Sequence, residues 1–210
     1  MTASRANVVR AVLRFVASVM MVSGALLITD AVLTLTWQEP VSAYLAQRQQ
    51  TKLKEAYIHP PQRVVMKRPL RGDSIAKILI PAIGVSKYVV EGTDLDDLRK
   101  GPGHYPKTPL PGERGTVAIA GHRTTYGAPF RKLNELHPGD RITLEMPYGT
   151  FVYRVQKTQV VDNDAWWITK SVGYNRLVLS ACHPLYSAAQ RIVAFARLVK
   201  RQPPQVEKAS

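Results

Sequence analysis

A single cysteine, Cys182, is all the sulfur chemistry that 210 residues offer beyond methionine. One thiol excludes an intramolecular disulfide framework and any zinc centre built on several thiolates, so stability has to come from packing. Acidic side chains are also scarce: 15 Asp and Glu stand against 29 Lys and Arg, for a formal charge of +14. That imbalance favours an anionic neighbour such as acidic phospholipid or cell-wall polymer. Nucleic acid is not the partner expected, because no basic helix and no aromatic RNA-binding signature accompanies the charge. There is no acidic cluster suited to calcium, no set of residues spaced as metal ligands, and no internal repeat.

The longest charge-free run lies near the N-terminus. From Phe15 to Thr29 no residue is charged, and apolar character resumes after Asp30 through Leu35 to Trp37. The stretch is just long enough to span a bilayer, with Asp30 towards its outer part and Trp37 as an interfacial anchor. Arg5, Arg10 and Arg14 precede it, which places the N-terminus in the cytoplasm and the rest of the chain outside. A cleaved signal peptide is the competing reading, but no small-x-small site closely follows the apolar run. The division expected is a cytoplasmic segment 1–14, a transmembrane anchor 15–37, an extracellular spacer 38–73, a folded domain 74–200 and a polar tail 201–210. Setting the anchor and spacer aside leaves about 130 residues, enough for one domain with a core. Within the spacer, Val41 to Tyr57 has the pattern of a short helix stopped by Pro60-Pro61, and Lys67, Arg68 and Arg71 would suit anionic headgroups.

The folded part reads as strands. Short β-branched or aromatic runs lie at 76–80, 86–90, 116–120, 140–144, 150–155, 176–180 and 191–198, bounded by Gly, Pro, Asp or Asn. This spacing argues for an all-β closed barrel or sandwich. Helical turns are expected at 94–99 and 129–136, the second before a His137-Pro-Gly-Asp140 turn.

Polar groups collect at strand ends. Pro184 cannot donate to a ladder, so the strand through Leu177 to Ser180 ends near Cys182 and presents it at a rim. The 116–120 strand delivers Gly121-His122-Arg123, and the last strand opens on Arg191. An ordinary thiol is only a few per cent thiolate at neutral pH and needs a cationic neighbour or base to act as a nucleophile. His122 can stabilise the thiolate and then protonate an amine leaving group. Arg191 is a poor base and a good donor to the oxygen of a tetrahedral intermediate. Bland readings stand beside these: Cys182 as inert core, His122 as structural, Arg191 paired with a surface carboxylate. Of the other histidines, His59 falls in the spacer, His137 in a turn, and His183 points away from Cys182 if the pleat persists. His104, in Gly101-Pro-Gly-His-Tyr-Pro106, is the rival base.

The stretch Gly101-Pro-Gly-His-Tyr-Pro-Lys-Thr-Pro-Leu-Pro-Gly-Glu-Arg-Gly-Thr-Val-Ala-Ile-Ala-Gly-His-Arg123, followed by Thr-Thr-Tyr-Gly-Ala-Pro-Phe130, resembles the histidine region of sortases. Leu179-Ser-Ala-Cys182 with Arg191 is similar to their cysteine and arginine region, and Gly-His-Arg-Thr-Thr-Tyr is most like class E. The likeness covers about residues 74 to 200. It implies an eight-stranded sortase barrel without cofactor or metal, with Cys182 as nucleophile, His122 as acid/base and Arg191 as oxyanion or substrate-carbonyl donor. It also implies protein substrates with a C-terminal Leu-Pro-x-Thr-Gly or Leu-Ala-x-Thr-Gly signal, cut between Thr and Gly. The acyl group would pass to an amine of peptidoglycan precursor or a pilin. One departure is Ala181, where family members often have Thr before the cysteine. An L,D-transpeptidase-like enzyme and a non-catalytic surface-binding domain are the alternatives.

Overall fold

Two runs, Thr-Val-Ala-Ile-Ala at 116–120 and Leu-Val-Leu-Ser-Ala at 177–181, carry so little polarity that neither face of either strand suits water. In the computed structural model, which describes residues 2–36 and 40–204, they lie side by side as parallel strands buried on both faces. Parallel pairs covered on both sides take such continuous apolar sequence.

The strands are β1 (Ser74–Ile80), β2 (Val85–Glu91), β3 (Gly103–His104), β4 (Thr116–Ala120), β5 (Arg141–Met146), β6 (Gly149–Asp162), β7 (Arg176–His183) and β8 (Gln190–Gln202). They close into one barrel in the order β1-β2-β3-β4-β7-β8-β6-β5. The β2–β3 and β4–β7 pairs are parallel and the rest antiparallel. Inside, Ile78, Ile119, Leu144, Leu177, Leu179, Ala194 and their neighbours form the main core. Outside, a smaller apolar cluster of Ala118, Val161, Ile168, Val178, Val193 and Phe195 lies under the segment joining β6 to β7. This second layer makes β4, β7 and β8 two-sided.

Three differences from the sequence expectation have clear causes. Strand β3 is two residues long in a Gly- and Pro-rich stretch, too short for any alternation. Strand β6 continues past Val155 to Asp162 despite polar residues, because β8 pairs with it that far. Strand β7 runs through Cys182 to His183, so the cysteine stands on the strand, opposite Arg191, and not just beyond its end.

Four α-helices are described, with short 3-10 turns at Pro81–Ile83, Leu133–Glu135 and Trp166–Thr169. Helix α1 (Thr2–Thr36) forms a unit of its own, divided from the rest at Pro40; its stretch Asn7–Leu33, of mean hydropathy 2.1, is long and apolar enough to cross a membrane. Trp37, expected as an interfacial anchor, lies outside the described residues, as does most of the expected tail. In the other unit, which begins at Val41, all but the first residue of α2 (Pro40–Ile58) occupies the helix expected at 41–57, followed by α3 (Gln62–Val65) and later α4 (Leu95–Leu98). Helix α2 packs against the barrel side of its unit. The Gln50 amide accepts the Tyr88 N–H at 2.7 Å and donates to the Tyr88 and Lys100 carbonyls at 3.0 and 2.8 Å.

One packing contact shapes the turn after β4. Phe130 is fully buried, and a Cβ added at Gly121 would sit 2.6 Å from its ring, so a side chain cannot replace hydrogen at 121. Removing the ring leaves a cavity that the rigid barrel cannot collapse: Phe130→Ala is expected to lower unfolding free energy by about 3–5 kcal/mol. Denaturant titration followed by tryptophan fluorescence reads this, and a loss below ~1 kcal/mol would contradict the packing described.

Candidate active site

The pleat decides which side chains meet. On β7, Leu177, Leu179 and Ala181 face the barrel core, which leaves Val178, Ser180 and Cys182 on the outer face. On β8, Ile192, Ala194 and Ala196 face in, and Arg191, Val193 and Phe195 face out. Cys182 and Arg191 are direct cross-strand partners and share that outer face. Strand β4 pairs with β7 up to Ala120 and Ser180, and the Gly121 N–H extends the ladder with a 3.0 Å bond to the Ser180 carbonyl. Carrying the register on brings His122 level with Cys182 and on the same face as Ala118 and Ala120. The register thus sets positions 122, 182 and 191 in one row at the ends of β4, β7 and β8, with Cys182 and Arg191 directly paired and His122 two residues past the last β4 pair.

Each member of the row is half-buried. The Nε2 of His122 is buried and has no hydrogen-bond partner among the described residues. Its ring lies 5.0 Å from that of Tyr126, and Tyr126 in turn lies under the Arg99 guanidinium at 5.8 Å. Burial first, and the Arg99 cation second, push the His122 imidazole below its ordinary value. Both causes favour the neutral imidazole, the form able to take a proton. Arg191 donates from Nη1 to the carbonyls of Ala188 and Gln190 at 2.9 and 3.0 Å, holding its guanidinium along the β7–β8 turn.

The rival base is spent elsewhere. His104 is fully buried, with Nδ1 at 2.8 Å from Glu91, its cross-strand partner. The Thr108 hydroxyl donates to the Tyr105 carbonyl and accepts the Ala118 N–H, so towards His104 it can only accept a further bond. Nε2 of His104 therefore carries the proton and donates to Thr108 and the Pro109 carbonyl, at 3.0 and 3.1 Å. Both ring nitrogens are occupied in a structural network. Ala181, the departure noted above, is buried on the core face, away from the side on which Cys182 stands. A threonine hydroxyl there would point into apolar packing.

A family model for the sortase domain matches residues 78–199. The chain belongs to the sortase family. Sortases are cysteine transpeptidases, and this sortase has one cysteine with which to be one. It is 37% identical over 136 residues to Sortase D of Bacillus subtilis, covering 63% of this chain and 67% of that protein. To Sortase SrtE1 of Streptomyces coelicolor it is 29% identical over 148 residues, covering 63% of this chain and 42% of that protein. Among solved structures, sortase E from Streptomyces avermitilis superposes with a TM-score of 0.60 at 31% identity, over 64% of this chain and 93% of that one. The likeness thus reaches both class D and class E relatives.

Sequence reasoning missed several groups around the row. Arg123 was visible only as the neighbour of His122, and Asn134 and Arg99 gave no signal at all. Ser42, 84 residues upstream, accepts the Tyr126 N–H at 2.8 Å, so helix α2 touches the turn that carries His122. Tyr126, Gly127 and Ala128 have φ of 51, 73 and 40°, a left-handed run that Tyr and Ala rarely adopt, and this contact helps to hold it.

Proposed function

We propose that this sortase is a membrane-anchored transpeptidase that cleaves a Leu-Ala-x-Thr-Gly or Leu-Pro-x-Thr-Gly signal between Thr and Gly through a thioester on Cys182. The reading is carried by the shared row: thiol, unpartnered imidazole and guanidinium on one face at the rim of β4, β7 and β8. His122 takes the Cys182 proton as sulfur attacks the threonine carbonyl. The oxyanion is stabilised by Arg191 and backbone N–H groups. The imidazolium returns the proton to the glycine nitrogen as the C–N bond breaks, leaving the thioester. An amine of peptidoglycan precursor or a pilin then gives up a proton to His122 and attacks, and sulfur leaves as the amide forms.

The proposed divisions are an anchor over 15–37, a spacer over 38–73, a catalytic domain over 74–200 and a tail over 201–210. The apolar helix serves as the uncleaved anchor, and Arg5, Arg10 and Arg14 keep the N-terminus cytoplasmic with the catalytic domain outside. The excess of basic residues suits an anionic envelope.

The test is a panel of both peptides with several amine acceptors, run on the full chain in detergent micelles and read by mass spectrometry. The expected products are the Thr-to-amine adduct and a trapped acyl-enzyme. Absence of Thr–Gly cleavage across the panel would reject the reading.

A further inference from the structure

The pleat that puts His122 and Cys182 on the outer face puts Arg123 and His183 on the opposite one, and there the two meet. Arg123 is 5% exposed. Its Nη1 donates to His183 Nδ1 at 3.0 Å and to the Cys182 carbonyl at 3.4 Å. Its Nη2 donates to Asn134 Oδ1 at 2.7 Å, and its Nε to the Arg131 carbonyl at 3.3 Å. No carboxylate forms an ion pair with it among the described residues. A guanidinium is seldom buried without an anion, and here its three nitrogens are divided between two segments of chain, 131–134 and 182–183. A guanidinium cannot accept, so His183 must accept at Nδ1 and carry its proton on Nε2.

We propose that Arg123 is a positioning residue: a fork behind the sheet that ties the turn bearing His122 to the end of β7 bearing Cys182, and both to the 131–134 segment. The β4–β7 ladder ends at the Gly121 N–H, so His122 lies beyond the last backbone bond between the two strands. Past that point the Arg123 fork joins the backbone of Cys182 to the turn. The spacing between imidazole and sulfur then depends on a side chain that hydrogen-bonds the Cys182 carbonyl and not its thiol, although the Cys182 charge acts on the guanidinium. An error of about 1 Å in such spacing costs on the order of 100-fold in rate.

The inference rests on the transpeptidase reading above, and the wild-type chain tests that reading in the same assay. Full-length wild type, Arg123→Lys, Arg123→Met and Asn134→Ala are compared for amide formation, peptide KM and thermal melting. Lysine keeps the charge but cannot span all four partners, so both Arg123 variants are expected to lose about 100-fold in kcat with KM within about twofold. Asn134→Ala, which removes only the Nη2 contact, is expected to lose about 10-fold in kcat while melting as a folded protein, and it serves if either Arg123 variant fails to fold. Full kcat in Arg123→Lys would show that charge alone suffices and would overturn the fork. Unchanged kcat in a folded Arg123→Met or in Asn134→Ala would overturn it too, as would a loss confined to KM. An inactive wild type, by contrast, would indict the transpeptidase reading and not Arg123.

Discussion

Cys182→Ala is expected to abolish amide formation, a loss of about 10⁴-fold or more, while leaving the fold intact. The magnitude follows from the chemistry. Without sulfur there is no thioester, and neither His122 nor Arg191 offers an alternative nucleophile. The retained fold follows from the pleat: Cys182 stands half-exposed on the outer face, and the apolar packing at that level is supplied from the inner face by Ala181 and Ile192. Trimming a half-exposed thiol to a methyl removes little buried surface, so the melting temperature should move by no more than about 2–4 °C. Transfer at wild-type rate by the alanine variant would end the cysteine mechanism. Iodoacetamide gives the same answer without mutagenesis: the enzyme should be inactivated in step with a single alkylation, whereas a surface-binding domain with an incidental thiol should be indifferent to it. Products formed from peptidoglycan stem peptides alone, with the sorting peptides untouched, would move the assignment to an L,D-transpeptidase-like activity.

The barrel was legible because its strands are short, apolar and punctuated, and seven of the eight could be placed from alternation and turn residues alone. The eighth, Gly103–His104, has two residues and therefore no period. The row of Cys182, His122 and Arg191 was approachable for a related reason: each sits where an apolar run stops, and strand ends are where polar side chains can stand in water. What surrounds the row was hidden because its partners are joined only in space. Glu91 and His104 pair across parallel strands, and nothing within either strand marks them as partners. Their pairing decides which histidine is available, a choice that spacing left open. Ser42 reaches Tyr126 from a helix that reads in sequence as spacer, and Arg123 reaches Asn134 across a turn. Apolar periodicity reports which face a residue occupies, but not which distant side chain completes a buried hydrogen-bond set. The polar support of the site was therefore the part lost to sequence reasoning.

His122→Gln is expected to lower kcat/KM by about 10²–10⁴-fold, the range for a lost acid/base group, and to remove the acid limb of the pH profile. In the wild type that limb should fall below the ordinary imidazole value, because burial and the Arg99 cation both disfavour the imidazolium. The sign can be tested through the second cause. Arg99→Met removes a positive charge that acts on the ring and so should move the limb to higher pH, with the Tyr126 ring still tilted against His122. Stability gives a readout free of catalysis. A histidine whose folded value is depressed binds a proton more readily when unfolded, so the wild type should lose stability as pH falls through about 6.5, until the folded form is protonated as well. His122→Gln should lose less over the same interval. A wild type and a glutamine variant whose melting temperatures fall in parallel from pH 7 to pH 5, or an acid limb indifferent to Arg99, would show that His122 is not held neutral by its surroundings, and its role as the resting base would fall with that.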